Sequence, residues 1–159
     1  MNEPSDTADV GNTVTVLSVS TAPQDHDALE QAVRESEVTL YPNNMLTLRR
    51  CTSVEEALAV LHESRIPIVV YEGDMLPGAW REIIAGVKDL PAPPCLIVTS
   101  KEADDHMWAE ALSHGAFDVI PKPFQKAEVI RIISAAWRRW RLRYGEMAAT
   151  AESKPPAES

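Results

Sequence analysis

The sequence predicts an α/β protein with a doubly wound, five-stranded parallel sheet. Short apolar runs rich in Val and Ile alternate five times with stretches of helical period. Such a repeat builds a parallel sheet with helices on both faces, because its crossovers are nearly always right-handed. The third run, residues 67–71, shows no polar alternation, which is typical of a parallel strand covered on both sides.

The predicted elements follow one another at regular spacing. Strands are predicted at residues 14–19, 45–49, 67–71, 95–98 and 117–120. Helices are predicted at residues 25–36, 54–61, 79–88, 103–113 and 125–144, and residues 38–44 as a loop or irregular segment. Ser53 followed by Glu56 has capping-box spacing and predicts the start of the second helix.

Length and charge limit the domain count and the function class. The chain has 159 residues, of which 45% are hydrophobic, so it can bury one core. We expect a single domain at residues 14–145 between disordered tails at 1–13 and 146–159, which makes a stand-alone module without an output domain. The formal net charge of -9 argues against general affinity for nucleic acid or anionic membrane.

Cysteine, histidine and terminal patterns favour a cytoplasmic protein without a metal site. Cys51 and Cys95 lie in apolar segments without metal-ligand spacing, which favours buried, reduced thiols. The histidines also lack such spacing and are expected at the surface or at helix ends; they are His26, His62, His106 and His114. The N-terminus lacks the basic and apolar regions of a signal peptide, and no apolar run approaches the length of a membrane helix.

Polar side chains follow four of the predicted strands at their carboxyl ends. They are Ser20, Thr21, residues 72–74, Thr99, Ser100 and Lys122. Because sites in open parallel sheets lie at this edge, we expect these residues to converge on one rim. Pro121 and Pro123 fix the backbone around Lys122 and aim its ammonium, which can pair with a carboxylate or a phosphoryl oxygen.

Four motifs occur in order along the chain: DMLPG at 74–78, Thr99 in CLIVTS, SHGAFD at 113–118, and KPF at 122–124. On these motifs the chain resembles a response-regulator receiver domain from about residue 14 to residue 143. The resemblance implies a flavodoxin-like fold with strand order 2-1-3-4-5. It also implies a function in phosphorelay or two-component signal transduction rather than an enzyme activity.

In that family, an aspartate after the third strand accepts a phosphoryl group, with Mg²⁺ held by an acidic pair after the first strand. A hydroxyl after the fourth strand and a lysine after the fifth bind the phosphoryl oxygens, whose spread negative charge needs stabilising. The resemblance implies that Thr99 and Lys122 hold these two positions. Ser20 and Thr21 stand where the acidic pair belongs, and hydroxyls are poor Mg²⁺ ligands, so Mg²⁺ is not an expected cofactor.

The acceptor position falls at Glu72 or Gly73, and neither residue is an aspartate. Counting back from Pro77 gives Gly73, whereas counting from the strand end and the next helix gives Glu72. Asp74 is the remaining candidate acid. We expect Lys122 to hold Glu72 or Asp74 in an ion pair that fixes the rim without a metal.

Three further positions lie near the predicted site. Val119 stands three residues before the lysine, where many receivers have an aromatic side chain that turns inward on phosphorylation. Valine has no comparable swing. Asp25 and Asp27 are expected to cap the first helix and to interact with its dipole.

The last predicted helix has an end rich in Trp and Arg. Its apolar stripe recurs at helical spacing through Ile130, Ile133, Trp137 and Trp140. We expect both tryptophans to lie past the sheet, where core is scarce. Trp137, Trp140, Arg138 and Arg141 are therefore candidates for partner binding or self-association, together with the fourth helix and the fifth strand. Nucleic-acid binding through WRRWRLR conflicts with the acidic chain.

The sequence thus predicts a divergent receiver that acts through protein contact, without Mg²⁺-dependent aspartyl phosphorylation. One alternative is a conventional phosphoacceptor regulator that uses Asp74 or Glu72. Another is a flavodoxin-like domain that binds a small molecule or acts as an enzyme. The sequence has no GxGxxG, P-loop or nucleophile elbow to favour that reading.

Overall fold

Strands and helices alternate along the chain. The computed structural model describes residues 13–36, 39–40, 44–76 and 78–153. The strands in this part of the chain are β1 (Thr13–Val19), β2 (Thr39–Leu40), β3 (Asn44–Cys51), β4 (Ile68–Glu72), β5 (Cys95–Ser100) and β6 (Asp118–Pro121). The helices are α1 (Pro23–Ser36), α2 (Val54–Glu63), α3 (Trp80–Val87), α4 (Asp105–Ser113) and α5 (Lys126–Ser153).

The strands form one sheet in the order β2-β3-β1-β4-β5-β6. All neighbours except β2 and β3 are parallel. Counting the parallel strands alone gives the order 2-1-3-4-5, which confirms the predicted fold. The additional strand, Thr39–Leu40, lies in the segment predicted as a loop or irregular, because two residues are too few to show a hydrophobic period.

Two apolar clusters cover the two faces of the sheet. Leu17 belongs to the cluster beneath α2 and α3, whereas its neighbour Val16 belongs to the cluster beneath α1 and α5. Successive strand residues point to opposite faces, so a strand covered on both faces is apolar throughout. This arrangement accounts for the uninterrupted Val and Ile runs of the sequence.

Helix α5 continues to Ser153, whereas the sequence predicted disorder from residue 146. The stretch EMAATAES contains strong helix formers, and the next proline comes only at residue 155, so nothing in it stops the helix. Thr13, placed in the predicted N-terminal tail, begins β1. The rest of that tail and residues 154–159 lie outside the described residues.

The tryptophan pair of α5 is packed against the domain. Trp140 is only 5% exposed, Trp137 packs against the cluster beneath α1 and α5, and the two rings stack with centroids 5.8 Å apart. The expectation that both tryptophans lie past the sheet is therefore wrong for Trp140. Pro94 and Phe117, in the loops before β5 and β6, line a small cavity together with Trp140.

Both cysteines are free thiols. Cys51 is buried and Cys95 is half-buried. Burial raises the pKa of each to about 11, so both thiols stay protonated at neutral pH. None of the described helices combines the length and apolar character that crossing a bilayer requires.

Candidate functional site

The carboxyl edge of the sheet brings Ser20, Glu72, Asp74, Ser100 and Lys122 of the predicted polar residues together. Glu72 ends β4 and lies opposite Thr99 of β5, and Lys122 follows β6. Ser20 follows β1, the strand that pairs with β4. These residues form one cluster, which we call the Lys122 rim, with Asp25, Asp74 and Ser100 as its other members.

Lys122 lies at the centre of three carboxylates. Its Nζ is 2.9 Å from Asp25 Oδ2, 3.2 Å from Glu72 Oε2 and 3.2 Å from Asp74 Oδ2, and the side chain is 10% exposed. Burial lowers the pKa of Lys122, but hydrogen bonds to Asp25, Glu72 and Asp74 outweigh it, so the pKa lies above its ordinary value. The ammonium therefore stays charged and is already occupied by protein carboxylates.

Glu72 has hydrogen bonds to both of its carboxylate oxygens. Ser20 Oγ donates to Oε1 at 2.7 Å, and Lys122 Nζ donates to Oε2 at 3.2 Å. Ser20 Oγ in turn accepts a hydrogen bond of 3.0 Å from the backbone N–H of Ala22. The Ser20 hydroxyl, which the resemblance places at an acidic position of the family, thus acts as an orienting donor for Glu72.

Asp74 also has both carboxylate oxygens engaged. Ser100 Oγ donates to Oδ1 at 3.0 Å, while the Lys101 backbone N–H at 2.9 Å and Lys122 Nζ meet Oδ2. Burial raises the pKa of Asp74. Hydrogen bonds from the Lys101 N–H, Ser100 and Lys122 together lower it by more, so the pKa lies below its ordinary value. Asp74 is an ionised carboxylate at neutral pH.

Asp25 is the rim residue whose contact the sequence did not predict. It lies in the first turn of α1, which is compatible with the predicted interaction with the helix dipole. Its carboxylate, however, reaches Lys122 from 97 residues away in the chain. The available signal was an acid in the first turn of the helix that follows β1 at the carboxyl edge. Asp27 instead pairs with Arg50 at 2.8 Å.

Gly73 brings the turn after β4 against β5. Its N–H donates to the Thr99 carbonyl at 2.6 Å. A Cβ at this position would lie 2.8 Å from both the Thr99 carbonyl oxygen and Val98 Cγ1, closer than real Cβ contacts. Only glycine fits here without displacing the backbone. Thr99 is buried, and the β5 hydroxyl that binds Asp74 belongs to Ser100.

His26 lies in the first turn of α1, a helix end as expected, but it is buried beneath the rim, so the alternative of a surface position is wrong. It is 4% exposed, with Nδ1 2.7 Å from Ser18 Oγ and Nε2 2.9 Å from the Ser20 carbonyl. A carbonyl only accepts, so Nε2 carries the hydrogen, and a neutral ring accepts from Ser18 at Nδ1. His26 thereby braces the backbone that carries Ser20. The other histidines are exposed, as expected: His62, His106 and His114.

Val119 and the predicted interface residues of α5 are not part of the Lys122 rim. Val119 is buried in the cluster beneath α2 and α3. On α5, Arg138 is exposed, and Trp137 and Arg141 are half-buried. These α5 residues lie away from the Lys122 rim, because the helix starts after β6 at the carboxyl edge and runs toward the opposite edge of the sheet.

The donor set of the rim does not fit the Mg²⁺ that the resemblance implies. The positions that the resemblance assigns to the acidic pair carry hydroxyls, and the Glu72 and Asp74 oxygens are bound to Lys122, to hydroxyls or to a backbone N–H. Across the described residues, no group of three or more His, Cys, Asp or Glu side chains has a geometry that could hold a metal ion. Lys122 instead supplies the positive charge at the centre of the rim.

The match to a protein-family model assigns the chain to a class of signalling domain. The family model for the response regulator receiver domain matches residues 24–134. The chain therefore belongs to the response regulator receiver domain family, whose members are signal-transduction domains. No curated protein sequence matches the chain significantly.

Solved receiver structures share the fold at low identity. A response regulator from Thermotoga maritima is 18% identical and has a TM-score of 0.66. The matched region covers 78% of this chain and 97% of the Thermotoga maritima chain. The chemotaxis response regulator CheY4 of Vibrio cholerae is 14% identical, with a TM-score of 0.64 and coverages of 78% and 98%. The NtrC4 receiver domain, solved as a beryllofluoride-activated dimer, is 20% identical, with a TM-score of 0.63 and coverages of 79% and 98%.

Proposed function

We propose that this receiver domain signals through protein contact and does not use Mg²⁺-dependent aspartyl phosphorylation. The observation that carries the proposal is the Lys122 ammonium held by Asp25, Glu72 and Asp74. In phosphoryl transfer, the lysine and a metal neutralise the charge of the transferred group. Here the lysine is bound to carboxylates, and hydroxyls replace the metal-binding acids.

Glu72 takes the acceptor position in this proposal. It is the last residue of β4, and its carboxylate points to Lys122, whereas Gly73 has no side chain and its N–H faces Thr99. An acceptor needs a free carboxylate oxygen in line with the incoming phosphorus. Both Glu72 oxygens already accept hydrogen bonds, and the longer side chain places them one methylene further from the strand than an aspartate would.

Asp74 is the acid that would serve a conventional phosphoacceptor. Its carboxylate accepts from a hydroxyl, a backbone N–H and an ammonium. Those are the kinds of donor that stabilise phosphoryl oxygens. Asp74 thus competes for the groups that a phosphoryl group would need, which favours its function as a fixed internal anion.

The partner surface in this proposal comprises α4, β6 and the exposed side of α5. Trp108 and Leu112 are exposed on α4 and lie four residues apart, so they share one side of the helix. The Trp108 indole donates to Asp118 at 3.0 Å, which ties this side to β6. Trp137, Arg138 and Arg141 are the α5 candidates, and Trp140 is withdrawn because it is buried.

Incubation with acetyl phosphate and Mg²⁺, followed by intact-mass spectrometry, tests the phosphorylation claim. The expected result is no phosphoryl adduct, while a receiver with a complete acidic pair and aspartate, treated in parallel, gains one. A stoichiometric adduct on this chain that disappears in Glu72→Gln or Asp74→Asn would establish the conventional alternative.

A further inference from the structure

A small cavity opens at the edge of the sheet opposite the Lys122 rim. It has a volume of about 180 Å³ and is lined by the loops before β5 and β6 and by the last described side chains of α5. Five of its lining residues carry charge or an aromatic ring: Phe117, Arg139, Trp140, Arg143 and Tyr144. We call this site the Arg139 pocket. The length of β5, roughly 16 Å at about 3.3 Å per residue, separates it from the rim.

The Arg139 pocket is positively charged in an acidic chain. Arg139 and Arg143 both line it, and no described Asp or Glu side chain does. Neither arginine takes part in an ion pair with another described residue. Burial raises the pKa of Cys95 in the wall, and the charges of the two arginines oppose that rise.

Aromatic rings support both guanidinium groups. The Arg139 guanidinium carbon is 5.8 Å from the centroid of the Phe117 ring, and that of Arg143 is 5.9 Å from the Tyr144 ring. A guanidinium held against a ring keeps the N–H groups of its edge available for an oxyanion, which it can bind with two parallel hydrogen bonds. The pocket therefore presents oriented donors beside an apolar wall.

Trp140 adds a donor without an acceptor. Its indole N–H is buried and has no hydrogen-bond partner among the described residues. Buried donors are normally paired, so this one is an exception in the wall of the pocket. Because this N–H is covered, a ligand would meet the two arginines before it. The NMR resonance of the indole can then report binding in the pocket beside it.

We propose that the Arg139 pocket binds the carboxylate of an acidic residue, flanked by apolar residues, in a peptide segment of a partner protein. The volume is below the range of about 300–1,000 Å³ that is usual for cofactor and drug-sized ligands, so the pocket takes one side chain. A polyanion such as nucleic acid is disfavoured, because the net charge of -9 repels a long phosphate backbone. The distance from the rim makes the site independent of the proposed absence of phosphorylation.

Two blocked tripeptides probe the pocket in the full chain. The Trp140 indole resonance is followed by NMR during titration with acetyl-Leu-Glu-Leu-amide and with its neutral analogue acetyl-Leu-Gln-Leu-amide. The expected result is a saturable shift with the glutamate peptide only. Arg139→Ala and Arg143→Ala each weaken binding by about tenfold or more, as loss of a charged hydrogen-bond donor does. Arg131→Ala, which removes the same charge from an exposed position of α5 outside the pocket, stays within about twofold.

Four results would overturn the proposal. Equal shifts with the two peptides would show that the carboxylate is not recognised. An equal loss in Arg131→Ala would show that the general charge of α5 binds the peptide. Inorganic phosphate binding as tightly as the glutamate peptide would make the pocket a free-anion site. Tighter binding of single-stranded DNA, lost alike in all three variants, would make this end of α5 a nucleic-acid surface.

Arg139→Lys and Arg143→Lys keep the charge and the fold, and they are expected to weaken binding because they lose the planar fork.

Discussion

The ammonium of Lys122 lies 3.2 Å from the carboxylate of Glu72, the residue that ends β4. Two residues at the ends of different strands are thereby joined at the position where receiver domains carry out phosphoryl transfer. Asp25 and Asp74 bind the same ammonium, so one positive charge holds three negative charges. The stability of the Lys122 rim depends on this charge balance.

Replacing Lys122 by methionine tests that dependence. The substitution leaves three carboxylates close together without a cation, and we expect the free energy of unfolding to fall by about 3 kcal/mol. Lys101→Met is the matched control, because Lys101 contacts Asp74 through its backbone N–H and its side chain is exposed. The control is expected to stay within about 0.5 kcal/mol of wild type. Equal losses in the two variants, measured by urea unfolding, would contradict a central position for Lys122.

The lowered pKa of Asp74 predicts a loss of stability in acid. Because the folded-state pKa lies below the ordinary value of 3.8, the contribution of Asp74 is present above about pH 4 and is lost as the pH falls through the folded-state pKa. Urea unfolding measured from neutral to acid pH is expected to show a shallower acid decline in Asp74→Asn than in wild type. Parallel declines would mean that Asp74 does not contribute.

Lys122 predicts the alkaline counterpart. Its folded-state pKa lies above the ordinary 10.5, so its contribution is complete below that pH and is lost as the pH rises through the folded-state value. Wild type is expected to lose stability at alkaline pH more steeply than Lys122→Met, when both are measured by urea unfolding. An identical alkaline decline in the variant would contradict this assignment.

The tryptophans of α5 are expected to differ in their effect on stability. Trp140 is buried, so Trp140→Ala should lower the free energy of unfolding by about 3–5 kcal/mol through loss of packing. Trp137 is half-buried, and Trp137→Ala should cost clearly less. Thermal or urea unfolding of the two variants distinguishes them. A larger loss of unfolding free energy for Trp137→Ala would show that Trp137, and not Trp140, makes the main core contact.

Two glycine substitutions should act in opposite directions. Gly73→Ala places a Cβ against the Thr99 carbonyl and Val98, and we expect it to destabilise the protein by about 1–3 kcal/mol. Gly145→Ala lies within α5, where the new Cβ would be 3.0 Å from Arg141 Cγ; because that side chain can shift, the variant should stabilise the helix by up to about 1 kcal/mol. Unfolding of the two variants under the same conditions checks the sign of each change. A neutral Gly73→Ala would show that the turn after β4 has room for a side chain.

Local pattern and sheet topology were enough to predict much of the site. The ends of parallel strands must meet at one edge, so the pairing of Glu72 with Lys122 could be expected from strand order alone. Capping chemistry is equally local: Ser53 Oγ accepts from the Glu56 N–H at 3.0 Å, as its spacing predicted, although the Glu56 carboxylate returns to the Thr52 N–H.

Contacts that depend on helix orientation and packing could not be predicted in this way. The bond from Lys122 to Asp25 requires the first turn of α1 to face the rim, and the burial of His26 depends on the same orientation. The hydrogen bond of Asp74 with Ser100 rather than with the neighbouring Thr99 is likewise a tertiary contact. Those features arise from the tertiary arrangement of elements and leave no periodic signal in the sequence.

The central claim is that the Lys122 rim is occupied by its own carboxylates and does not accept a phosphoryl group. Amide NMR spectra recorded during a titration with beryllofluoride and Mg²⁺ test it most directly, with a receiver that has a complete acidic site as the reagent control. We predict that the resonances of Glu72, Asp74, Ser100 and Lys122 do not move in this protein while those of the control shift and saturate. Saturable shifts of the same residues in this protein would contradict the account.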